Sequence, residues 1–260
     1  MSPTVAWISV TPVKGLRLQH PERVELTEDG VPGDRAFFLV GQDGKMVSAT
    51  RLGALLAVVA EHDAQAGTLK LAFPDGRVVA GEVALGAPER VCFYGLTLDA
   101  QPVGGPFAPA LSEHVGRSLR MFASPPERPG VDRGRDGAAT LLSVASLRRL
   151  QEVAGEPQPV DPRRFRMTFG VEGLEPHEED GWIGRDVRVG EALVHVSGNV
   201  GRCALTTRDP ETGDVDLKTL HHLRAYRHEV QTTERLPFGV HARVLEPGAV
   251  HVGDAVAPAR

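Results

Sequence analysis

Only two cysteines, Cys92 and Cys203, occur in 260 residues. Two thiols cannot build a disulfide framework, a four-cysteine zinc site or an iron–sulfur cluster. Positive charge is also short: 29 Lys and Arg stand against 34 Asp and Glu, a formal net charge of −5. That balance gives no electrostatic attraction to nucleic acid or to an anionic membrane. The most continuous apolar stretch, LGALLAVVA at 52–60, falls far below the roughly 20 residues that a membrane-spanning helix needs. The opening MSPT has neither the basic nor the apolar segment of a secretory signal, so a cytoplasmic protein with reduced thiols is expected. No GxSxG, phosphate-loop or GxGxxG motif follows a strand-like run, and no repeat or low-complexity tract is present.

What the chain does have is dispersed turn chemistry, with 29 glycines and 20 prolines spread along its length. Short alternating or β-branched runs predict strands at 5–10, 24–27, 36–40, 68–73, 78–83 and 91–94. Gln42-Asp43-Gly44 and Pro74-Asp75-Gly76 read as hairpin turns. The first hundred residues therefore read as a β meander, which at that length tends to close into a barrel and hide its edges. A short helix ending at Gly116 and a strand follow. The segment 124–137 is rich in Pro, Gly and charge, with Arg128, Arg133 and Arg135 offset by Glu127, Asp132 and Asp136; it is the expected junction loop, edging any pocket between domains.

Beyond it, ATLLSV reads as a buried strand. Ser143 then caps a helix whose Val144, Leu147, Leu150 and Ala154 share one face. Further strands are expected in FRMTFGVEG, DVRVGEALVHVSG, CALTT and VHARVLEP, with a helix at 217–228 and a final hairpin at 239–257 turning at Pro247-Gly248. The expected architecture is mostly β, a β-barrel-rich α+β fold: a β-barrel domain at 1–124 and a second at 125–260, with a few short helices.

Several tempting motifs fail. His177-Glu178-Glu179-Asp180 begins like a zinc-protease helix, but Gly181 stands where the second histidine belongs, leaving an acidic loop. Asp209, Gly213, Asp214 and Asp216 lack calcium-loop spacing and read as a turn. Cys92, in RVCFYG, has the setting of a packed strand residue. Cys203 differs, because the glycines around it allow close backbone approach to a ligand and Arg202 is a cation of the kind that favours a thiolate. A thiolate is a nucleophile or a ligand for a soft metal.

The segment GRCALTTRDPETG at 201–213 resembles the cysteine motif of the MOSC family, named for the C-terminal domain of molybdenum-cofactor sulfurase. TPVKGLRL, PGDRAFFLV, LLSVASLRRLQ, RFRMTFGVEG, EEDGWIGRDVRVGEA and FGVHARVLEPGAVHVGD resemble further MOSC segments in the same order. The likeness spans nearly the whole chain and is similar in layout to the mitochondrial amidoxime-reducing component and its bacterial relatives. It implies an N-terminal MOSC barrel followed by a MOSC domain, with a molybdopterin cofactor between them and Cys203 as the ligand to molybdenum. Lys14, Gly15, Arg35, Arg166, Thr168, Gly201 and Arg202 occupy the positions that the resemblance assigns to cofactor binding. Arginine forks suit a pterin phosphate. Pyridoxal phosphate binding is a further family-level expectation. Gly15 and Gly201 stand where relatives often carry Ser, and Met167-Thr168 where they carry Pro-Asn.

The activity that the resemblance implies is two-electron reduction of small N-hydroxylated substrates, amidoximes or hydroxylamines. Asp209 is the candidate to position a proton or water, with an Asx turn before Pro210 as its other reading. With no cysteines for an iron–sulfur domain, the electrons are expected from a separate donor protein or a small donor. Two rivals stand beside this reading. One is a carrier of molybdenum cofactor or sulfur on Cys203, and the other a scaffold that binds no cofactor.

Overall fold

The computed structural model describes residues 2–125 and 134–259; residues 126–133 of the expected junction loop, Arg128 and Arg133 among them, lie outside these. The chain begins with β1 (Thr4–Ile8), β2 (Arg23–Leu26), β3 (Phe37–Gly41) and β4 (Met46–Val47). It continues with β5 (Val59–Asp63), β6 (Thr68–Ala72), β7 (Val78–Glu82), β8 (Glu89–Phe93), β9 (Leu96–Pro102), α1 (Phe107–Val115) and β10 (Leu119–Ala123). The second half contains β11 (Ala139–Ser143), α2 (Val144–Ala154), β12 (Phe169–Glu172), β13 (Asp186–Val189) and β14 (Ala192–Gly201). It ends with α3 (Thr219–Arg227), β15 (Pro237–Glu246), β16 (Gly248–His251) and β17 (Val256–Pro258). The fold is mostly β, as expected.

Period-two burial explains most strands: β2 exposes Arg23 and Glu25 and buries Val24 and Leu26, and β6 buries Leu69 and Leu71 around exposed Lys70. Seven strands form one sheet in the order β1-β12-β11-β15-β14-β13-β17. Val5 N–H donates to the Asp254 carbonyl (2.9 Å) and Val256 N–H to the Pro3 carbonyl (2.9 Å), bringing the two edges together and nearly closing a barrel. Its interior is filled by Val5, Ile8, Leu141, Phe169, Val171, Val194, Val240 and their neighbours. In the first half, β4-β3-β10-β9-β8 form a second sheet. Its edges meet where Cys92 N–H donates to the Gly44 carbonyl (2.8 Å). The β5-β6-β7 sheet packs with α1 through Leu69, Leu71, Phe107 and Leu111.

Three expectations change. The first hundred residues are not one continuous meander: β1 pairs with β12, and β2 pairs with β16. The apolar faces of these strands find their complement in the larger barrel, where Val5, Ile8, Val24 and Leu26 join its core. The 239–257 segment is not a hairpin, because β16 leaves β15 for β2 while β15 runs between β11 and β14. CALTT is not a strand either; Ala204–Thr207 is a 3-10 turn. There the Thr206 and Thr207 hydroxyls donate back to the Cys203 and Ala204 carbonyls (3.0 and 2.7 Å), the local competition that draws threonine out of ladders.

The predicted helices are present, and the Ser143 hydroxyl caps α2 by accepting from Ala145 N–H. The expected acidic loop at 177–180 conceals a buried acid. Glu179 has no exposed surface and accepts from Ser143 N–H (3.2 Å) and the Ser146 hydroxyl (3.1 Å) at the start of α2. Burial pushes its carboxyl up to about 7 against these hydrogen bonds. Nearby His177 packs between Tyr226 and Phe238 with neither ring nitrogen partnered, and burial, Arg227 and Arg149 hold it down to about 3.

These shifts fix a pH signature. Glu179, raised from 4.5, contributes stability below that value that is lost as pH rises through about 7. His177, lowered from 6.5, contributes stability gained as pH rises from about 3. Glu179→Gln deletes only the first effect. Wild-type stability relative to this variant should fall by on the order of 3 kcal/mol between pH 4 and pH 8, measured by urea unfolding at a series of pH values. A flat difference across that range would mean that Glu179 ionises like an exposed carboxyl.

Candidate cofactor site

Where the two halves meet, they enclose a cavity of about 470 Å³, within the range of small-molecule sites. The first half contributes Lys14 and Gly15 after β1, Arg35 before β3, Ser48 to Thr50 after β4, and Tyr94 between β8 and β9. The second half contributes Thr140 of β11, Arg164 to Thr168 before β12, and Val200 to Cys203 at the end of β14. Gly134 and Gly137 edge it as well, so the described end of the junction loop borders the cavity. That end is tied down by Arg135 on Asp29 (2.7 Å) and by the Asp136 carbonyl on His241 Nδ1 (2.8 Å).

The arginines do more than line the wall. Arg35 and Arg166 both have left-handed backbones, φ 52° and 54°, which costs a non-glycine residue about 1–3 kcal/mol unless the surroundings hold it. The holding contacts cross the seam. Arg35 Nη2 donates to the Arg166 carbonyl (3.0 Å), and Arg166 Nη2 donates to the Leu16 carbonyl (2.9 Å). Arg35 is also paired with Asp34. Arg202 donates from Nε to the Phe238 carbonyl (2.8 Å) and from Nη1 to the Phe165 carbonyl (2.9 Å). Its guanidinium thus fastens the end of β14 to two neighbouring segments.

Cys203 is exposed and lines the cavity in an extended conformation just before the 3-10 turn. Thr50 Oγ1 from the other half lies 4.0 Å from its sulfur. A clamp sets that approach. Arg208 donates from Nε (3.2 Å) and Nη2 (2.9 Å) to the Thr50 carbonyl and from Nη1 (2.5 Å) to the Gly213 carbonyl. Gly213, at φ 81°, lies against Gly53 so closely that a methyl on either would overlap the other's backbone.

Eight of the nine residues expected at the site therefore share one cavity: Lys14, Gly15, Arg35, Arg166, Thr168, Gly201, Arg202 and Cys203. Asp209 does not line it. Its Oδ1 accepts from Glu211 and Thr212 N–H (2.8 Å each), forming the Asx turn. Burial alone would raise its carboxyl, but these amides and Arg164 outweigh burial and hold it below the usual range. Arg164 was not anticipated. It is 9% exposed, binds Asp216 through two bonds of 2.6 and 2.5 Å, and keeps a buried Nε without a partner at the cavity wall. Only its position in the RRFR run hinted at it, since adjacent arginines look alike until one is buried.

The MOSC N-terminal β-barrel domain pattern matches residues 2–116, and the MOSC domain pattern matches residues 128–257. The chain belongs to the MOSC family. Among MOSC relatives, mitochondrial amidoxime-reducing component 1 of Mus musculus is 27% identical, covering 97% of this chain and 81% of its own. The molybdenum cofactor sulfurase of Oryza sativa subsp. japonica is 24% identical over 85% of this chain and 30% of its own. The crystal structure of the YuaD protein from Bacillus subtilis has a TM-score of 0.45 and 12% identity, covering 98% of this chain and 94% of that one.

Within the MOSC cysteine motif, the glycine at 201 is not an open gap. A side chain there would meet the Glu234 carboxylate and crowd the Arg235 carbonyl. The motif's far glycine is equally constrained. Gly213→Ala should cost about 2 kcal/mol or more and lower Tm by several degrees, since the methyl would overlap the Gly53 backbone and the position needs a positive φ. Calorimetry checks this; an unchanged Tm would show that the Gly53–Gly213 contact does not bear on the seam.

Proposed function

We propose that this protein is a molybdenum-cofactor-dependent reductase of small N-hydroxylated compounds, with Cys203 as the protein ligand to molybdenum. The observation that carries this reading is an exposed thiol on the wall of an arginine-rich cavity between the two MOSC units. The donor set fits such a cofactor. Among the described residues no three His, Cys, Asp or Glu side chains cluster to hold a bare metal, so Cys203 would complete a metal whose other ligands arrive with it. Lys14, Arg166 and Arg202 on the cavity wall are the cations that would face an anionic group.

The bound cofactor would supply the two-electron change that breaks the N–O bond. An amidoxime, two electrons and two protons then give an amidine and water, the electrons coming from a separate donor protein. The chain's own residues hold the site in shape: Arg202 fixes the end of β14, and Arg208 sets the Thr50 segment against Cys203. The name of the mouse relative, mitochondrial amidoxime-reducing component 1, supports the substrate class. No helix among the described residues is long and apolar enough to cross a membrane; action in the cytoplasm is part of the proposal.

Protein made in a host that synthesises molybdenum cofactor should contain molybdenum and pterin and reduce benzamidoxime anaerobically with an artificial electron donor. Cys203→Ala should lose about a hundredfold or more of this activity, beyond the cost of removing a partner behind a metal ligand. Wild-type turnover in a molybdenum-loaded Cys203→Ala variant overturns the ligation. The rice sulfurase relative supports a second reading, cofactor or sulfur carriage on the exposed Cys203. Cyanolysable sulfur without molybdenum would select it.

A further inference from the structure

Phe93 is paired with Leu96, so Tyr94 and Gly95 form a two-residue hairpin turn between β8 and β9. Both have positive φ, 48° and 88°. Such turns favour Asn-Gly, and a bulky residue in the first position is an outlier. Gly95 suits the turn; Tyr94 does not. Core packing does not account for the tyrosine either, because it is 63% exposed.

The ring is nevertheless held and placed. The Phe93 ring meets it edge-on at 5.1 Å and 79°, and Phe93 itself is buried against Phe38. Lys14 Nζ lies 5.5 Å from the Tyr94 ring centre and 5.9 Å from that of Phe93. Both Lys14 and Tyr94 line the cavity. The other aromatic residue on its wall, Phe165, is buried against Phe238 and the Arg202 guanidinium. Tyr94 is thus the exposed aromatic surface of the site, kept there at the expense of its own backbone.

We propose that Tyr94 determines substrate specificity, forming a platform on which the flat, conjugated part of an aryl-bearing N-hydroxylated substrate stacks. The substrate's reacting group rests on the function proposed above; the aryl preference rests on the ring. Stacked aromatic pairs prefer each other over aliphatic partners by about three- to tenfold in affinity. A pterin is also flat and conjugated, so cofactor content must be read alongside.

The test compares benzamidoxime with acetamidoxime, which share the reacting group and differ in the ring. Binding is measured by calorimetry, and KM by turnover, on cofactor-loaded protein. Wild type should favour benzamidoxime. Tyr94→Gly should lower that preference three- to tenfold through weaker benzamidoxime binding, keep its pterin, and hold or raise Tm because glycine relieves the turn. Tyr94→Phe should keep the preference. Equal binding of both compounds by wild type, or binding of neither, overturns the platform. So does an unchanged ratio in Tyr94→Gly, whatever its Tm, and so does loss of pterin with the ring, which would assign the stacking to the cofactor. If the binding preference behaves as expected while neither compound is reduced, the reductase reading fails and the aryl platform stands.

Discussion

Arginine donating to backbone carbonyls across the seam is the constraint on which the rest depends. Arg35 holds the Arg166 carbonyl, Arg166 holds that of Leu16, and Arg208 holds that of Thr50. These bonds let the three side chains tie two β units together through the backbone, with Arg35 and Arg166 acting from the wall of the cavity. The left-handed backbones of Arg35 and Arg166 are tolerated because each residue is held through both its backbone and its guanidinium. Arg35 and Arg166 therefore both join the two halves and line the cavity.

That double use also explains the composition of the cysteine motif. From Gly201 to Gly213 it contains one sulfur and a good deal of docking hardware. Arg202 anchors the strand end, Thr206 and Thr207 tighten the turn, Asp209 caps the following loop, and Arg208 and Gly213 seat the whole segment on residues 50–53 of the other half. Cys203 is held by the Arg202 anchor just before it, by the Thr206 bond to its own carbonyl and by the Arg208–Gly213 seat beyond it.

Much of this was legible in the sequence because it is local. Alternation in β2 and β6, the Ser143 cap and the helix at α3 each depend on neighbours within a few residues. The co-location of Lys14, Arg35, Arg166 and Cys203 was legible only through the family resemblance, since no periodicity relates them. What was missed is non-local. Alternation in β1 says that one face is buried, but not that the partner is β12. CALTT has strand-forming residues, yet its threonine hydroxyls find carbonyls three positions back. Glu179 and Arg164 look like ordinary surface charges, and burial depends on what the fold brings over them.

The pairing of β1 with β12 reaches beyond architecture into the order of events during synthesis. Thr4 and Glu172 are partners separated by 168 positions. At roughly 5–20 residues per second, a ribosome needs about ten to thirty seconds to deliver the second after the first. Throughout that interval β1 has no ladder partner, and the seven-stranded sheet lacks its edge. The smaller sheets of the first half pair with no strand of the second, so they are free to form meanwhile. β1, like β2, therefore stays without its strand partner until most of the chain has been made.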